Sequence, residues 1–181
     1  MAPIAGFTKV CSKNVPGNSV VWLTESDNIA SVTVATGEIT ALTMATGKTF
    51  SVFDVDQDTL IRMEEGTGTG HNMSYVHSVE FALSKPSTHV RTAINNLADA
   101  SPCGIVALIK DGNGTYWLEG YNEVDLLERG LKLVQDNTTS GTAPDDAEGS
   151  KSVIRLETKS GYKTLPVKST STVAVSGIAA A

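Results

Sequence analysis

The stretch Gly104-Ile-Val-Ala-Leu-Ile-Lys-Asp-Gly-Asn-Gly-Thr-Tyr-Trp-Leu-Glu-Gly-Tyr121 decides how the chain is read. It opens with an apolar, β-branched run, turns at Asp111-Gly-Asn-Gly114 and returns through an aromatic run. Asp-Gly and Asn-Gly tolerate the positive φ of tight hairpin turns. The stretch therefore predicts a β-hairpin.

Working outward, more strands appear. Ile29 to Thr36 and Ile39 to Met44 flank Thr36-Gly37-Glu38 and predict a second hairpin. Lys48 to Phe53 and Leu60 to Met63 predict shorter strands. Met73 to Leu83 alternates most cleanly: Met73, Tyr75, Val79, Phe81 and Leu83 share one face with His77, while Asn72, Ser74, Ser78 and Glu80 share the other. A period of two over that length means a long strand with one buried face. Asp54 to Gly70, acidic and then Gly-rich, reads as a long loop or a hairpin tip. Leu131 to Val134 predicts a short strand, and Asp136 to Ser150 a mobile polar loop. Ser152 to Lys159 and Tyr162 to Lys168, around Ser160-Gly161, predict a last hairpin.

The period changes once. Val90, Ala93, Ile94, Leu97 and Ala98 recur at helical spacing, which predicts one amphipathic helix over 87–99, opened near Ser87 and closed before Pro102. Val124 to Glu128 reads at most as one helical turn. The expected fold is mainly β: an antiparallel β-sandwich or barrel of about eight strands with one flanking α-helix. Residues 1–28 read as an extended arm holding a short strand at Val20 to Leu23. Residues 29–168 read as the β-domain. Residues 169–181, small and without charge, read as a tail that is disordered or adds to a partner surface.

The 181 residues suit one domain with a real core. A net charge of −6 disfavours a phosphate-binding face. There is no apolar run near ~18 residues, as a membrane-spanning helix needs. Met1 to Phe7 lacks the basic and apolar regions of a signal peptide. Without a secretory route, Cys11 and Cys103 read as free thiols, with a disulfide left open.

Each chemical template fails in turn. Asp54, Asp56, Asp58 and Glu65 match the acids of a calcium loop, but Thr59 stands where the sharp turn wants Gly. The fragment reads as a solvated acidic turn, with a weak cation site left open. Thr46-Gly-Lys-Thr49 lacks the upstream Gly of a phosphate loop, since Leu42 stands there. Gly66-Thr-Gly-Thr-Gly70 does not open a helix. His71 and His77 lie ~20 Å apart along one strand and cannot share a metal. His77, on an apolar face, reads as a hydrogen-bonded core or interface histidine. Cys103, between Pro102 and Gly104, reads as a buried structural thiol rather than a nucleophile paired with His77 or His89. Trp22 and Trp117 have no Lys/Arg cluster beside them to make a nucleic-acid groove. The chain reads as a non-enzyme, with no catalytic, cofactor or metal residues.

Ile105 to Tyr121, then Gly130-Leu-Lys-Leu133, Ser140-Gly-Thr-Ala-Pro-Asp-Asp146 and Ser152-Val-Ile-Arg-Leu-Glu-Thr158, together resemble the C-terminal half of virion structural proteins of tailed phages, particularly Bacteroidetes phages including the crAss-like group. Those proteins are similar to tail-tube or neck-ring subunits. The resemblance covers residues 104–168, and the chain departs from it in the insert Asn122 to Arg129. It implies a tail-tube-like sandwich or barrel that assembles as a six-fold or twelve-fold ring. Neighbouring virion rings would be partners, and DNA would pass through the channel without specific binding. It implies a place in the virion tail or neck after synthesis in the host cytoplasm, with no membrane and no small-molecule substrate. Met73, Tyr75, His77, Val79, Trp117 and Tyr121 are then the candidate inter-subunit residues. The other reading open to the sequence is a monomeric β-sandwich binding module of adhesin or carbohydrate-binding type, using Trp22, Tyr116, Trp117 and Tyr121 as a platform. A small hydrolase would need Cys103 beside a histidine.

Overall fold

A computed structural model describes residues 18–56, 58–69, 72–140 and 149–168. In chain order they form β1 (Asn18–Glu25), a 3-10 turn (Ser26–Asn28), β2 (Ile29–Ala35), β3 (Glu38–Met44), β4 (Ser51–Phe53), β5 (Ile61–Thr69) and β6 (Asn72–Ser84). The helix α1 (Thr88–Ala100) follows, then β7 (Ile105–Asp111), β8 (Tyr116–Glu119), β9 (Lys132–Thr139), β10 (Lys151–Ser160) and β11 (Pro166–Val167). Seven strands form one sheet in the order β2-β3-β11-β8-β7-β1-β4, and four form a second in the order β5-β6-β10-β9. All neighbours are antiparallel except β11 and β3, which meet at Val167 and Ile39.

The hairpin that opened the sequence forms as β7 and β8, with Ala107 opposite Glu119 and Lys110 opposite Tyr116. Its turn is organised by Asp111, whose Oδ1 accepts from the backbone N–H of Asn113 at 2.9 Å and Thr115 at 2.8 Å. β7 is buried on both faces, so it reads as an unbroken apolar run. Ile105, Ala107 and Ile109 face the four-stranded sheet and meet Val79, Phe81, Ile154 and Leu156 in a first core. Val106 and Leu108 face the other way, into a second core with Trp22, Ile39, Leu42 and Leu118.

The second core exists because the seven-stranded sheet curls. The 3-10 turn carries the chain from β1, one strand from one edge, directly to β2 at the opposite edge, and Ala45 N–H donates to the Asn28 carbonyl at 2.8 Å. The β2–β3 hairpin, bent by register shifts, thereby packs its apolar side against β1 and β7. The edges β2 and β4 do not pair with each other, so the described residues make two sheets and no closed barrel. The sandwich half of the expected fold holds at this level. The barrel half does not, and eleven strands replace the eight expected.

The helix is α1 nearly as expected. Ser87 Oγ accepts from Val90 N–H at its N-terminus, and Ile94 and Leu97 enter the first core. Ser101 Oγ accepts from Leu133 N–H at 2.9 Å, which fixes the helix end to β9.

Four boundaries differ from the sequence reading, the first at β5, which runs on past Met63 to Thr69 in register with β6 where a loop or hairpin tip was expected. Residues 18–25, assigned to an arm, are an interior strand between β7 and β4. The short strand expected at Val20 to Leu23 is its centre; covered on both faces, the strand shows no alternation, which hid its full length and its place inside the sheet. The last hairpin does not form: β10 is already paired on both sides, by β6 and β9, and Pro166 enters the other sheet instead. β9 continues to Thr139 through polar residues because it pairs with β10 over most of its length. The tail 169–181 and most of the arm lie outside the described residues.

Candidate functional site

One residue of the opening hairpin breaks its pattern. Glu119 sits on β8 at the position facing the four-stranded sheet and is completely buried. A buried carboxylate is stable only when paired and hydrogen-bonded. Its partners come from three directions. Arg62 Nε of β5 donates to Glu119 Oε1. Thr164 Oγ1, from the segment before β11, donates to Oε2 at 2.7 Å, and His77 Nδ1 of β6 lies 3.3 Å from the same oxygen. Arg62 also reaches Glu64 Oε2 at 3.2 Å, and Thr164 N–H donates to that oxygen at 3.3 Å. His77 Nε2 contacts the Tyr162 carbonyl at 2.9 Å, and Lys163 Nζ stands 3.7 Å from Glu64 Oε1.

Charge counting explains the set. Arg62 and Lys163 stand against Glu64 and Glu119, and His77, when protonated, adds a third positive charge beside the two acids. Burial opposes the charge on His77, but Glu119, the Tyr162 carbonyl and Glu64 outweigh it and hold the imidazole above its ordinary 6.5. Burial likewise opposes ionisation of Glu119, but His77, Arg62 and Thr164 overcome it and hold the carboxyl below its ordinary 4.5. The Arg62 guanidinium lies 4.2 Å from the Trp117 ring centre, and Trp117 Nε1 donates to Asp111 Oδ2 at 3.1 Å. One polar chain thus runs from the β7–β8 turn across the sandwich to β6.

The chemistry this arrangement offers is that of a clamp. The void beside His77, lined by Gly120, Asn122 and Ser160 among others, is about 10 Å³. That is room for about one water and no organic substrate. What the cluster fastens is the β5–β6 ribbon, whose far end reaches Thr69 and Asn72.

The six candidate inter-subunit residues are brought together in part. Tyr75, His77 and Val79 share the inner face of β6, and Trp117 faces them from β8. Val79 and His77 are covered by the chain's own atoms. Tyr75 is half-buried, covers Gly66, and has the Lys163 ammonium 5.5 Å from its ring centre. Met73 is exposed, and Tyr121 turns into the second core, where burial and then Glu123 push its phenol up. Trp22 is buried 6.1 Å from the half-buried Tyr116, so the four aromatics proposed as a ligand platform pack largely within the protein.

Cys103 is exposed in the turn after α1, a correction to its reading as a buried thiol. His77 is engaged with Thr164 and Tyr162, and His89 is exposed on α1. Cys11 and His71 lie outside the described residues. Asp56 accepts from Ser84 Oγ, and Glu65 points outward on β5. Among the described residues no three His, Cys, Asp or Glu converge as a metal site, and no helix is long and apolar enough to cross a membrane.

The sequence reading missed Arg62, Glu64, Glu119 and Thr164. The signal was present for three of them: charged residues standing at core parity, beside Trp117 on one strand and opposite His77 and Val79 on another.

Among the described residues, nothing covers the outer face of the four-stranded sheet or pairs with its two edges. The register puts Glu65, Glu80 and Glu157 on that outer face with Lys132, Lys151, Arg155 and Lys159, three acids against four bases. The edge strands β5 and β9 are nine and eight residues long. Ile61, Met63 and Val134 on them are exposed. No protein-family model, no curated protein and no solved structure matches the chain.

Proposed function

We propose that the chain is a structural subunit of a phage tail or head–tail neck that closes into a ring around a DNA channel. The observation that carries this reading is the pair of open edges on the four-stranded sheet. β5 opposes β6, β6 opposes β10 and β10 opposes β9, so β5 and β9 run in opposite directions. Beside a second copy, β9 therefore meets β5 antiparallel, and the alternation continues from subunit to subunit. An odd strand count would have broken it. Such a contact is heterologous, and a rotation that closes makes a ring. Long edges, one carrying Met63 and the other carrying Val134 at a register shift of β9, are a liability in a monomer and the bonds of an assembly. The uncovered face, almost balanced in charge and rich in Ser and Thr, suits a lumen that DNA slides past.

Electron microscopy of negatively stained protein, with light scattering in solution, tests the reading. Closed rings or short tubes are expected, and lysines placed on both edges by Met63→Lys with Val134→Lys are expected to leave monomers. A wild-type chain that stays monomeric at high concentration, or rings that survive both lysines, overturns it.

A further inference from the structure

Both ring nitrogens of His77 face one segment of chain, the strap that carries it from β10 in one sheet to β11 in the other. The Tyr162 carbonyl lies 2.9 Å from Nε2, and Thr164 Oγ1 lies 2.8 Å from Nδ1. Little else holds the strap. Of residues 161–168 only Thr164 and Val167 are buried. A Cβ on Gly161 would meet nothing within 4 Å. β11 is two residues long, and joins β8 at Pro166 and Val167 and β3 at Val167.

Proton counting on the ring leaves one satisfactory form. A carbonyl only accepts, so Nε2 must carry a proton. Thr164 has one hydroxyl proton and donates it to Glu119 Oε2 at 2.7 Å. Nδ1 must therefore donate as well, to Thr164 Oγ1 or to Glu119 Oε2 3.3 Å away. Only the imidazolium donates from both nitrogens. A neutral ring protonated on Nε2 turns a lone pair toward Glu119 and competes with it for the Thr164 proton. A neutral ring protonated on Nδ1 turns a lone pair toward the Tyr162 carbonyl. Either way the strap loses a hydrogen bond and meets a repulsion.

The charges around the ring favour the same form. Arg62 and Glu64 stand near it from β5, Glu119 from β8, Lys163 from the strap and Arg129 from the loop before β9, while β10 sets Thr158 opposite it. Arg62 is engaged by Glu64 and Glu119, Lys163 by Glu64 and Arg129 by Asp125. Nδ1 itself faces two carboxylates, at 3.3 and 3.9 Å.

We propose that His77 is a pH-operated latch on this strap. As imidazolium it holds residues 161–165 down and keeps β11 between β8 and β3. When it loses its proton the strap lifts from Gly161 and β11 leaves, which uncovers the β3 edge at Ile39 and the β8 edge at Tyr116 and Trp117. The opening is local. β10 is paired on both sides by β6 and β9, and β7 by β1 and β8, so neither strand depends on β11. The latch works within one subunit and stands whether or not subunits close into rings.

Amide hydrogen exchange of the full chain tests it, read residue by residue by NMR and corrected for the intrinsic rate at each pH, with the His77 ring titrated in the same samples. The Thr164 amide donates to Glu64 and the Lys168 amide to the Ile39 carbonyl. Their protection is expected to fall about tenfold or more as the ring loses its proton, with the ring's own midpoint. Protection in β7 and β10 is expected to hold over the same range. His77→Gln keeps a donor and an acceptor but cannot titrate, and is expected to abolish the pH step at Thr164 and Lys168. Strap protection that stays flat through the ring titration, strap and β7 amides that lose protection together, or an equal step in folded His77→Gln protein overturns the proposal. Should His77→Gln fail to fold, the coincidence of the two midpoints in the unmutated chain decides it.

Discussion

Glu119 concentrates what single residues do in this protein. Fully buried, it holds together Arg62, His77 and Thr164, drawn from β5, β6 and the segment before β11. Glu119→Gln leaves Arg62, with side-chain exposure of 16%, and His77 with Glu64 as the remaining carboxylate between them. Breaking a buried pair from one side costs about 3 kcal/mol at the low end of the known range, and urea unfolding should read that loss. The same cluster sets a pH dependence. His77 has its folded pKa raised, so its contribution is complete below the ordinary 6.5 and is lost as pH rises through the folded value. Glu119 has its folded pKa lowered, so its contribution is complete above the ordinary 4.5 and is lost as pH falls through the folded value. The cluster stabilises most between 4.5 and 6.5. Thermal midpoints should decline on the alkaline side, and His77→Gln should flatten that decline. An equally steep decline in His77→Gln would remove His77 from the account. His77 was legible as a core histidine because its neighbours on the strand are apolar. Its partners were not legible, because Glu119 and Arg62 lie 57 residues apart and only the sheet packing joins them.

At the scale of elements, the hairpin β7–β8 and the helix α1 could be read because their signals are local: a turn dipeptide between two apolar runs, and an apolar stripe at helical spacing after Ser87. β10 was legible as a strand and the centre of β1 as a short one, but the interior place of β1 and the passage of β11 into the other sheet were not, for the opposite reason. Which strand pairs with which is decided by neighbours far along the chain, and a strand buried on both faces loses its period. One close crossing shows how such long-range pairing is built. Gly104, at φ +98°, and Gly130 meet where the chain leaves α1 and where it enters β9, and Ile105 and Leu131 exchange backbone hydrogen bonds at 2.9 and 2.8 Å. A Cβ on Gly130 would lie 2.8 Å from Gly104 Cα, and backbone cannot give way as a side chain can. Gly130→Ala is therefore expected to destabilise by about 1–3 kcal/mol. Gly161→Ala, with nothing within 4 Å of the new methyl, is expected to stay within about 0.5 kcal/mol. Denaturant midpoints of the two variants decide the matter, and equal midpoints would show that the crossing tolerates a side chain.

At the scale of the whole molecule, the two cores are not two domains. β1 and β7 each contribute to both, residue by residue: Val21 and Leu23 to one and Trp22 to the other, Ile109 to one and Leu108 to the other. Neither core survives if either strand leaves, because the same backbone carries both linings. Unfolding should accordingly be a single cooperative step. Leu108→Ala empties a site in the second core and Ile109→Ala one in the first, each costing about 2–5 kcal/mol. If the cores are coupled, both substitutions move one common midpoint. Trp22 fluorescence, read in a Trp117→Phe background so that it reports on the second core, and far-UV circular dichroism, which reports on both sheets, should then trace the same curve in each variant with unchanged slope. Were the cores independent, Leu108→Ala would shift the fluorescence transition and leave a later dichroism transition in place. The coupled outcome also bears on assembly. In the ring proposed above, a subunit bonded to its neighbours through the four-stranded sheet would pass load to the curled sheet through the first core, the Glu119 cluster and the Asn122–Ser160 contact, and a body that unfolds as one unit would resist that load.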